Sequence, residues 1–306
     1  ISILLQVAWI IGLAVRLTNY YAVISTLASI LGLLLVFRVY GLQINSAYKI
    51  SWIILILMFP IMGACLYLMF GRTGALGSMR KWFDKVHAAY AHLLPQDEAI
   101  VDKLENANTG LARQSEYLRK GAGYPVYQNT DVEFYGDTVQ ALEAQKAEMR
   151  RAKKFIFMEY HAIEDSVAWK GIEEILMEKA AEGLDVRVFY DDMGSIGFIS
   201  KDFMEKLKRK GIKCRVFNPL MPILNVFMNN RDHRKITVID GKVGFTGGYN
   251  LANEYFNLTH PYGQWKDSGV KLTGDAVRSL TLIFMEMWNA TQKEQEDPIP
   301  YLLKPA

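Results

Sequence analysis

The sequence predicts an α/β protein in which N-terminal transmembrane helices are followed by one domain with a mixed, mostly parallel sheet flanked by helices. The first 71 residues contain no acidic side chain and only three basic ones, Arg16, Arg38 and Lys49. Such a region would expose more apolar surface than a soluble protein tolerates. From residue 124 onward, strand-like and helix-like segments alternate, which is typical of parallel strands joined by covering helices.

The composition of the whole chain argues against two other classes of protein. Of its 306 residues, 22% are charged, and the formal net charge is +3. A nucleic-acid-binding protein would be expected to have a strongly basic face, so we expect no nucleic-acid partner. The two cysteines, Cys65 and Cys214, are too few to form a disulfide scaffold.

The N-terminal region divides into apolar stretches at 1–15, 21–37 and 50–70. At about 1.5 Å per residue, a helix over the third stretch would reach about 31 Å, a full hydrocarbon core, and one over the second about 26 Å. We predict two secure spans and interpret the first stretch as the remainder of a longer helix rather than a signal peptide. By the positive-inside rule, the basic residues that follow place everything downstream on the cytoplasmic side; they are Arg72, Arg80, Lys81 and Lys85.

Residues 72–123 are predicted to form a connector between the membrane segment and the domain. Its segment WFDKVHAAYAHLL has apolar residues at helical spacing, so we predict an amphipathic helix at or near the membrane surface. His87 and His92 are five residues apart and do not share a helical face as i, i+4 ligands do. We therefore expect no metal site there.

The domain, residues 124–306, is predicted to begin with alternating strands and helices, the first helix opened by Asp137. The alternation then stops, and residues 231–248 contain two strand-like runs around Asp240 and Gly241, the signature of a β-hairpin. The predicted strands are 132–136, 154–163, 184–192, 212–218 and 268–272, and the predicted helices are 137–152, 167–183, 200–211 and 275–289.

The hairpin carries a group of residues that suits phosphate chemistry. His233 and Lys235 are two apart in a strand-like pattern, so both side chains are expected on the same face. A lysine ammonium can bind phosphate oxygens, and a histidine can act as nucleophile or acid near neutral pH. Gly247 and Gly248 are expected to let the backbone approach a ligand closely, and Asn250 to donate from its amide to the same oxygens.

The full spacing is H-x-K-x4-D-x6-G-G-x-N, which is far more specific than an isolated HxK. It resembles the HKD motif, the hallmark of the phospholipase D superfamily. More narrowly, nearly the whole chain looks like a bacterial cardiolipin synthase. The similar segments, in the family's order, are NSAYKISWIILILMFPIMGACLYLMFGR, FMEYHAI, VRVFYDDMGS, RDHRKITVIDGKVGFTGGYNLANEY and QWKDSGVKLTG.

This resemblance implies phosphatidyl transfer. One histidine would attack phosphorus to form a phosphohistidine, and a second histidine, from a second copy of the motif, would protonate the leaving group. On that pattern Asp267 would orient the catalytic imidazole. Asp240 suits a structural turn better than proton transfer, and Glu159 and His161 could equally face the site or form a polar strand end. The catalytic candidates are His233, Lys235, Asp240, Asn250 and Asp267, and the substrate-binding candidates are Gly247, Gly248, Glu254 and Glu159.

Two further features of the sequence concern ligands. Asp191 and Asp192 end a predicted strand, where α/β sheets collect ligand groups, although a capping or turn role fits equally well. Because the phosphohistidine route implied by the resemblance needs no metal, we expect neither a metal ion nor a cofactor. The apolar segment 218–230 has the pattern of core residues, but beside a lipid site we slightly favour an acyl-chain entry.

The sequence departs from the family in one respect. The family carries two HKD motifs, whereas His233 and Lys235 form the single HxK pair here, and 56 residues follow Asn250. A second half of similar size would need about 100 residues. We therefore expect half an active site, either because the chain is an N-terminal fragment or because two copies pair.

The leading hypothesis is a membrane-bound transferase that makes cardiolipin from two phosphatidylglycerol molecules and releases glycerol. Its expected location is the bacterial inner membrane, multi-pass, with the catalytic domain in the cytoplasm. The expected partners are membrane phospholipids, the bilayer and a second HKD half. Two alternatives stay open: a membrane-bound phospholipase D-type phosphodiesterase, and an inactive half-domain that serves another chain.

Overall fold

The structure is a computed structural model that describes residues 2–71, 77–219, 231–292 and 294–303. The chain divides into two compact units: the first described range belongs to one, and the other three belong to the second. Arg72 and most of the apolar segment 218–230 lie outside the described residues. The expected acyl-chain entry therefore stays a prediction.

The first unit consists of helices. They are α1 (Ser2–Tyr40), α2 (Ser46–Met58) and α3 (Pro60–Leu66), followed by a π-helical turn over Tyr67–Gly71. The apolar stretches 1–15 and 21–37 do not form separate helices, because α1 runs through both without a break. The third stretch is not one helix either: it breaks between Phe59 and Pro60, since a proline ring disrupts the interior of a helix.

Packing within this unit is close. A Cβ at Gly63 would lie 2.7 Å from the Cα of Ile56, so glycine lets α3 approach α2. Among the described residues, one segment, Ala22–Tyr40, is long and apolar enough to cross a membrane, and the helices after it are apolar but shorter. Several complete spans are therefore not established.

The second unit contains a seven-stranded sheet in the order β1-β7-β6-β5-β2-β3-β4. Only the β2–β3 and β3–β4 pairs are parallel, and the other four pairs are antiparallel. The mixed sheet is confirmed, but "mostly parallel" is wrong, because β5, β6 and β7 form a meander that joins the sheet beside β2. The strands are β1 (Thr130–Tyr135), β2 (Phe155–Tyr160), β3 (Asp185–Asp191), β4 (Lys213–Phe217), β5 (Lys235–Ile239), β6 (Val243–Gly247) and β7 (Gly269–Gly274).

Helices precede and cover this sheet. Asp137 begins one of them as predicted, since its carboxylate accepts hydrogen bonds from the backbone nitrogens of Val139 and Gln140. The helices are α4 (Gly77–Tyr90), α5 (Glu98–Ala107), α6 (Thr109–Ala122), α7 (Thr138–Arg150), α8 (Val167–Ala181), α9 (Asp192–Ser195), α10 (Phe203–Arg209) and α11 (Val277–Ala290), with 3-10 turns at Ala91–Leu93, Asn253–Phe256 and Ile299–Tyr301.

The predicted hairpin is confirmed between β5 and β6. Asp240 and Gly241 both have positive φ, 53° and 67°, the conformation that two-residue hairpin turns require and that aspartate and glycine tolerate. Because the turn residues are local in sequence, this feature could be predicted without the rest of the fold.

Each face of the sheet has its own apolar core. Alternate residues of β2 belong to different cores: Ile156 and Met158 pack into the core on one face, and Phe155 and Phe157 pack into the core on the other. Val86 of α4 is fully buried in the second core.

The predicted amphipathic helix is present as α4, and its apolar side packs against α11 inside this unit; its expected place at the membrane surface stays a prediction. The Trp82 indole also donates to the carbonyl of Asn289 at 3.2 Å. The second unit accordingly includes the described residues from 77 onward, where the sequence predicted a separate connector over 72–123.

Candidate active site

The site lies at the sheet edge where β2 and β3 end and β5 begins. Lys235, the first residue of β5, pairs with Tyr160, the last of β2, and His233 precedes the strand. The Lys235 ammonium donates to the His233 carbonyl oxygen at 2.8 Å. Lys235 is buried, whereas His233 is exposed. The two predicted residues are thus brought together by this hydrogen bond rather than by a shared strand.

A second histidine lies against His233. His161 directly follows β2, and the centroids of the two imidazole rings are 4.7 Å apart with an interplanar angle of 58°. The antiparallel register explains the contact, because beyond the Tyr160–Lys235 pair the residues after β2 lie opposite those before β5. Of the two alternatives for His161, the structure therefore favours the one in which its side chain faces the site.

Asp191 holds this arrangement together. Its buried carboxylate accepts hydrogen bonds from the backbone nitrogens of Asp232 at 2.9 Å and Gly194 at 3.0 Å, and from the Arg231 guanidinium at 3.3 Å. The bond to Gly194 caps α9, so the capping role is confirmed. His161 Nδ1 lies 2.8 Å from the Asp232 carbonyl oxygen and 3.9 Å from Asp191 Oδ1.

Asn250 forms part of a cleft wall. Its Oδ1 accepts from the Ala162 backbone nitrogen at 3.1 Å, and its Nδ2 donates to the Tyr255 hydroxyl at 2.8 Å. Two contacts thus hold the amide in place; because Nδ2 carries two hydrogens, the expected donation to phosphate oxygens stays a prediction. The cleft beside it has a volume of about 450 Å³, and its lining includes His161, Glu164, Glu254, Tyr255, Tyr262 and Trp265.

Gly247 and Gly248 have a packing reason to be glycine, which is different from the ligand approach that we expected. A Cβ at Gly247 would lie 2.6 Å from the Ser268 carbonyl oxygen, and one at Gly248 would lie 2.7 Å from the Asp267 carboxyl carbon. The two glycines therefore let β6 approach the segment before β7 and leave room for the Asp267 carboxylate.

Asp267 does not make the contact that the resemblance implied. Its Oδ1 accepts from the Ser268 backbone nitrogen at 2.8 Å. Among the described residues, no hydrogen bond joins it to the His233 ring. Burial lowers the pKa of the Lys235 ammonium, and the negative charges of Asp232 and then Asp267 oppose that lowering.

Asp240 lies at the other end of β5 from Lys235. Its carboxylate accepts from the backbone nitrogens of Lys153 and Lys154 at 2.8 Å and of Phe155 at 3.0 Å. These bonds fasten the hairpin turn to the start of β2. Because a five-residue strand is about 16 Å long, Asp240 is a structural turn residue, and its place among the catalytic candidates is wrong.

Glu159 is fully buried, so it cannot contact a ligand in the cleft, and the expected substrate-binding role is wrong. The Arg234 guanidinium lies 2.8 Å from Glu159 Oε1 and 3.0 Å from Asp232 Oδ1. Burial, and then the nearby Asp232 carboxylate, raise the pKa of Glu159 well above its ordinary value. His87 Nδ1 lies 2.9 Å from Glu286 Oε1. We use the name buried acid cluster for five residues: Glu159, Asp232, Arg234, His87 and Glu286.

The electrostatics of the site suit a nucleophilic histidine. Burial lowers the pKa of His233, the positive charges of Lys235 and His161 lower it further, and Asp232 and Asp191 oppose them. An imidazole with a lowered pKa is uncharged at neutral pH and has a free lone pair. Within the part of the chain that the structure describes, no cluster of three or more His, Cys, Asp or Glu side chains could hold a metal ion.

Sequence reasoning left three residues of the site unassigned: His161, Asp191 and Tyr255. His161 and Asp191 stand immediately after or at the end of strands, which is a usable signal. The sequence could not show that they meet His233, because that depends on the antiparallel pairing of β2 with β5. Tyr255 carries no motif signal, and its role follows from the fold around Asn250.

Comparison with protein families identifies the class of this chain. Residues 146–288 match the family described as "Cardiolipin synthase, PLD-like domain", and residues 27–72 match "Phospholipase_D-nuclease N-terminal". Residues 146–288 are therefore a phospholipase D-like domain, and the chain resembles the phospholipase D superfamily. Within that superfamily it resembles bacterial cardiolipin synthases, as the motif predicted.

Individual relatives agree. A cardiolipin synthase of Staphylococcus aureus is 32% identical over 272 residues, which are 86% of this chain and 54% of that protein. An uncharacterized protein of Streptococcus mutans is 38% identical over 260 residues, covering 85% of this chain and 56% of that protein. The chain thus spans about half the length of the curated relatives it matches.

A solved structure, the phospholipase D family member NUC from Salmonella typhimurium, is 17% identical with a TM-score of 0.41 and covers 55% of this chain and 99% of that one. This score is low, and the fold assignment rests on the family match and on the observed sheet.

Proposed function

We propose that this site belongs to a phosphatidyl transferase that makes cardiolipin from two phosphatidylglycerol molecules and releases glycerol. The observation that carries the proposal is the exposed His233, with a lowered pKa, beside the buried Lys235 at the edge of a phospholipase D-like domain. The segment Ala22–Tyr40, which is long and apolar enough to cross a membrane, supports a site that works at a membrane.

In the first step, a nitrogen of His233 attacks the phosphorus of one phosphatidylglycerol. The phosphorus–oxygen bond to the head-group glycerol breaks, and glycerol leaves after it gains a proton. The phosphatidyl group is then bound to His233. Lys235 stabilises the negative oxygens on phosphorus, because a cation placed where charge develops lowers the barrier.

In the second step, a head-group hydroxyl of another phosphatidylglycerol loses a proton and attacks the phosphohistidine. The phosphorus–nitrogen bond breaks, cardiolipin forms, and His233 is restored. If water attacks instead, the product is phosphatidic acid. Transfer and hydrolysis therefore share the first step and differ in the second nucleophile.

The proton for the departing glycerol requires a general acid, which typically contributes a hundredfold or more to the rate. The resembled family uses a histidine from a second HKD motif, and this sequence contains one HxK pair. We propose that the second histidine is supplied by another HKD motif, either in a longer form of the protein or in a second copy of this chain.

The test combines lipid analysis with a trap for the covalent intermediate. Chain 1–306, His233→Asn and the matched control His260→Asn are incubated in detergent micelles with phosphate-labelled phosphatidylglycerol, and the molecular size of each is measured. We expect acid-labile, base-stable label on the wild type and the control but none on His233→Asn, and cardiolipin only from a dimer.

Other products would redirect the proposal. Phosphatidic acid alone would identify a phosphodiesterase. A chain that becomes labelled but forms no product would place the second motif in a longer form of the protein, and a chain that neither becomes labelled nor forms product would support the non-catalytic alternative. Cardiolipin made by a demonstrably monomeric chain would contradict the requirement for a second motif.

We also propose that the domain lies in the cytoplasm at the inner membrane. Ala22–Tyr40 is a candidate span, and Tyr117 on α6 is 78% exposed. In a Cys65→Ser background, a Tyr117→Cys variant should resist a membrane-impermeant maleimide in intact cells and react after lysis. Labelling in intact cells would contradict this topology.

A further inference from the structure

We propose that His161 is a positioning residue for His233, which holds the nucleophile's ring in place and acts on its charge from within the same chain. The inference rests on the proposed role of His233 as the nucleophile. His161 is not part of the HKD motif, since it follows β2, 72 positions before His233.

His161 is itself held firmly. Its Nδ1 lies 2.8 Å from the Asp232 carbonyl oxygen. Because a carbonyl oxygen can only accept, Nδ1 carries a hydrogen in both charge states, and the neutral tautomer is fixed. A Cβ at Gly194 would lie 2.8 Å from His161 Nε2, so glycine there leaves room for the ring. The orientation of His161 is therefore set before any ligand binds.

The fixed ring in turn supports His233. The two imidazoles are in contact, with centroids 4.7 Å apart, a separation typical of tilted aromatic pairs. Among the described residues, no hydrogen bond reaches the His233 ring. Within the described part of the chain, the packing against His161 is thus the contact that restrains the orientation of the exposed His233 ring.

The charged groups around His233 come from four places in the fold. Lys235 starts β5, His161 follows β2, Asp191 ends β3, and Asp232 lies in the segment before β5. The two cations lower the pKa of His233 and the two carboxylates raise it, with burial as the largest influence. Removing His161 takes away one of the two cations, so the pKa of His233 should rise.

The geometry argues against His161 as the general acid. In an in-line displacement at phosphorus, the leaving group departs on the side opposite the nucleophile. A ring that packs against the nucleophile's ring lies beside the nucleophile rather than across from it. His161 therefore acts through His233, and the proton donor must come from elsewhere.

The test measures the ionisation of His233 directly by nuclear magnetic resonance of chain 1–306 with labelled histidine. The five histidines are assigned from single substitutions. In the wild type, the His233 midpoint should lie below the ordinary value for histidine. In His161→Asn and His161→Phe the His233 midpoint should move to higher pH, and in the exposed control His260→Asn it should not move.

Two variants separate a specific effect from loss of fold. Asparagine keeps a side-chain N–H for the Asp232 carbonyl without the ring, and phenylalanine keeps the ring without the charge. An unmoved His233 midpoint in either folded variant would overturn the proposal.

A kinetic measurement completes the test. With phosphatidylglycerol, kcat/KM of the His161 variants at neutral pH should fall by about tenfold to a hundredfold, as expected for a misplaced reacting group. In a plot of kcat/KM against pH, the acidic side of the curve should move to higher pH. If the wild type is neither labelled nor forms lipid product but the His233 midpoint shifts as expected, the proposed function fails, whereas the control of the His233 ring by His161 stands without its catalytic consequence.

Discussion

Two adjacent residues of the motif, His233 and Arg234, lie in opposite surroundings. His233 is exposed and packs against His161, which lines the cleft. The Arg234 guanidinium instead contacts two buried carboxylates, Glu159 and Asp232. The difference teaches that the site keeps one titratable side chain available to react, while the charge of the neighbouring residue holds the strands together. A cation with buried partners is costly to remove, while an exposed imidazole is free to change its bonding.

The buried acid cluster also reaches helices far along the chain. His87 of α4 contacts Glu286 of α11 at 2.9 Å, and the Tyr124 hydroxyl donates to the other oxygen of Glu286 at 3.4 Å. Burial raises the pKa of Glu286, and the nearby charges of His87 and Arg234 oppose the rise. The residues at the cleft are thus placed to react with a ligand, whereas the buried acid cluster holds strands and helices together.

The largest effect is expected from His233→Asn. Loss of a covalent nucleophile should reduce turnover by at least about ten-thousandfold, while the melting temperature changes little because the side chain is exposed. Lipid product and thermal melting of the same preparation check both parts. Turnover of His233→Asn within tenfold of the wild type would contradict the assignment of His233 as the nucleophile.

Substitutions of Lys235 and Arg234 should have opposite main effects, one on turnover and the other on stability. Lys235→Met should lower turnover by about a hundredfold to a thousandfold through the loss of a cation near phosphorus. Arg234→Met should instead lower stability by about 3 kcal/mol or more, because buried carboxylates lose their partner. Measurements of turnover and of the free energy of unfolding in denaturant, made on both variants, test these two expectations. A stable Arg234→Met with crippled turnover would show that the two residues do not divide the work in this way.

Asp240→Asn tests the structural side of the motif. Asparagine tolerates the positive φ of this turn but loses the carboxylate charge, so unfolding should become easier by about 1 to 3 kcal/mol. The kcat of the folded fraction should stay within about threefold of the wild type, because the site is about 16 Å away along β5. A large fall in kcat with unchanged stability would return Asp240 to the catalytic set.

The smallest effect is expected from Glu159→Gln. A carboxyl whose pKa is raised by folding contributes its full stabilisation below its unfolded pKa of about 4.3, and that contribution declines as the pH rises toward the folded value. Because glutamine does not titrate, the variant should become more stable relative to the wild type as the pH increases.

Melting temperatures measured across that pH range test this expectation, with Glu143→Gln on the exposed side of α7 as the control. A difference between Glu159→Gln and the wild type that is the same at every pH would show that Glu159 is ionised in the folded protein.

The sequence by itself determined the local parts of the protein. The hairpin at Asp240 and Gly241, the helix that begins after Asp137, and every predicted strand of the domain follow from turn chemistry, capping and periodicity, which act over a few residues. The motif and its resemblance pointed to the superfamily that the family comparisons confirmed. His233 and Lys235 do lie together, as their spacing suggested.

Only the tertiary structure decided which strands are neighbours and what each side chain faces. The alternating pattern predicted parallel pairing, which holds for β2, β3 and β4, but it did not show that β5 lies antiparallel beside β2. That pairing brings His161 to His233, directs Glu159 into a buried cluster and leaves Asp240 at the far end of the strand. Periodicity fixes the face of a residue within its own strand, but strand order depends on contacts between residues distant in sequence, for which a single sequence carries no local signal.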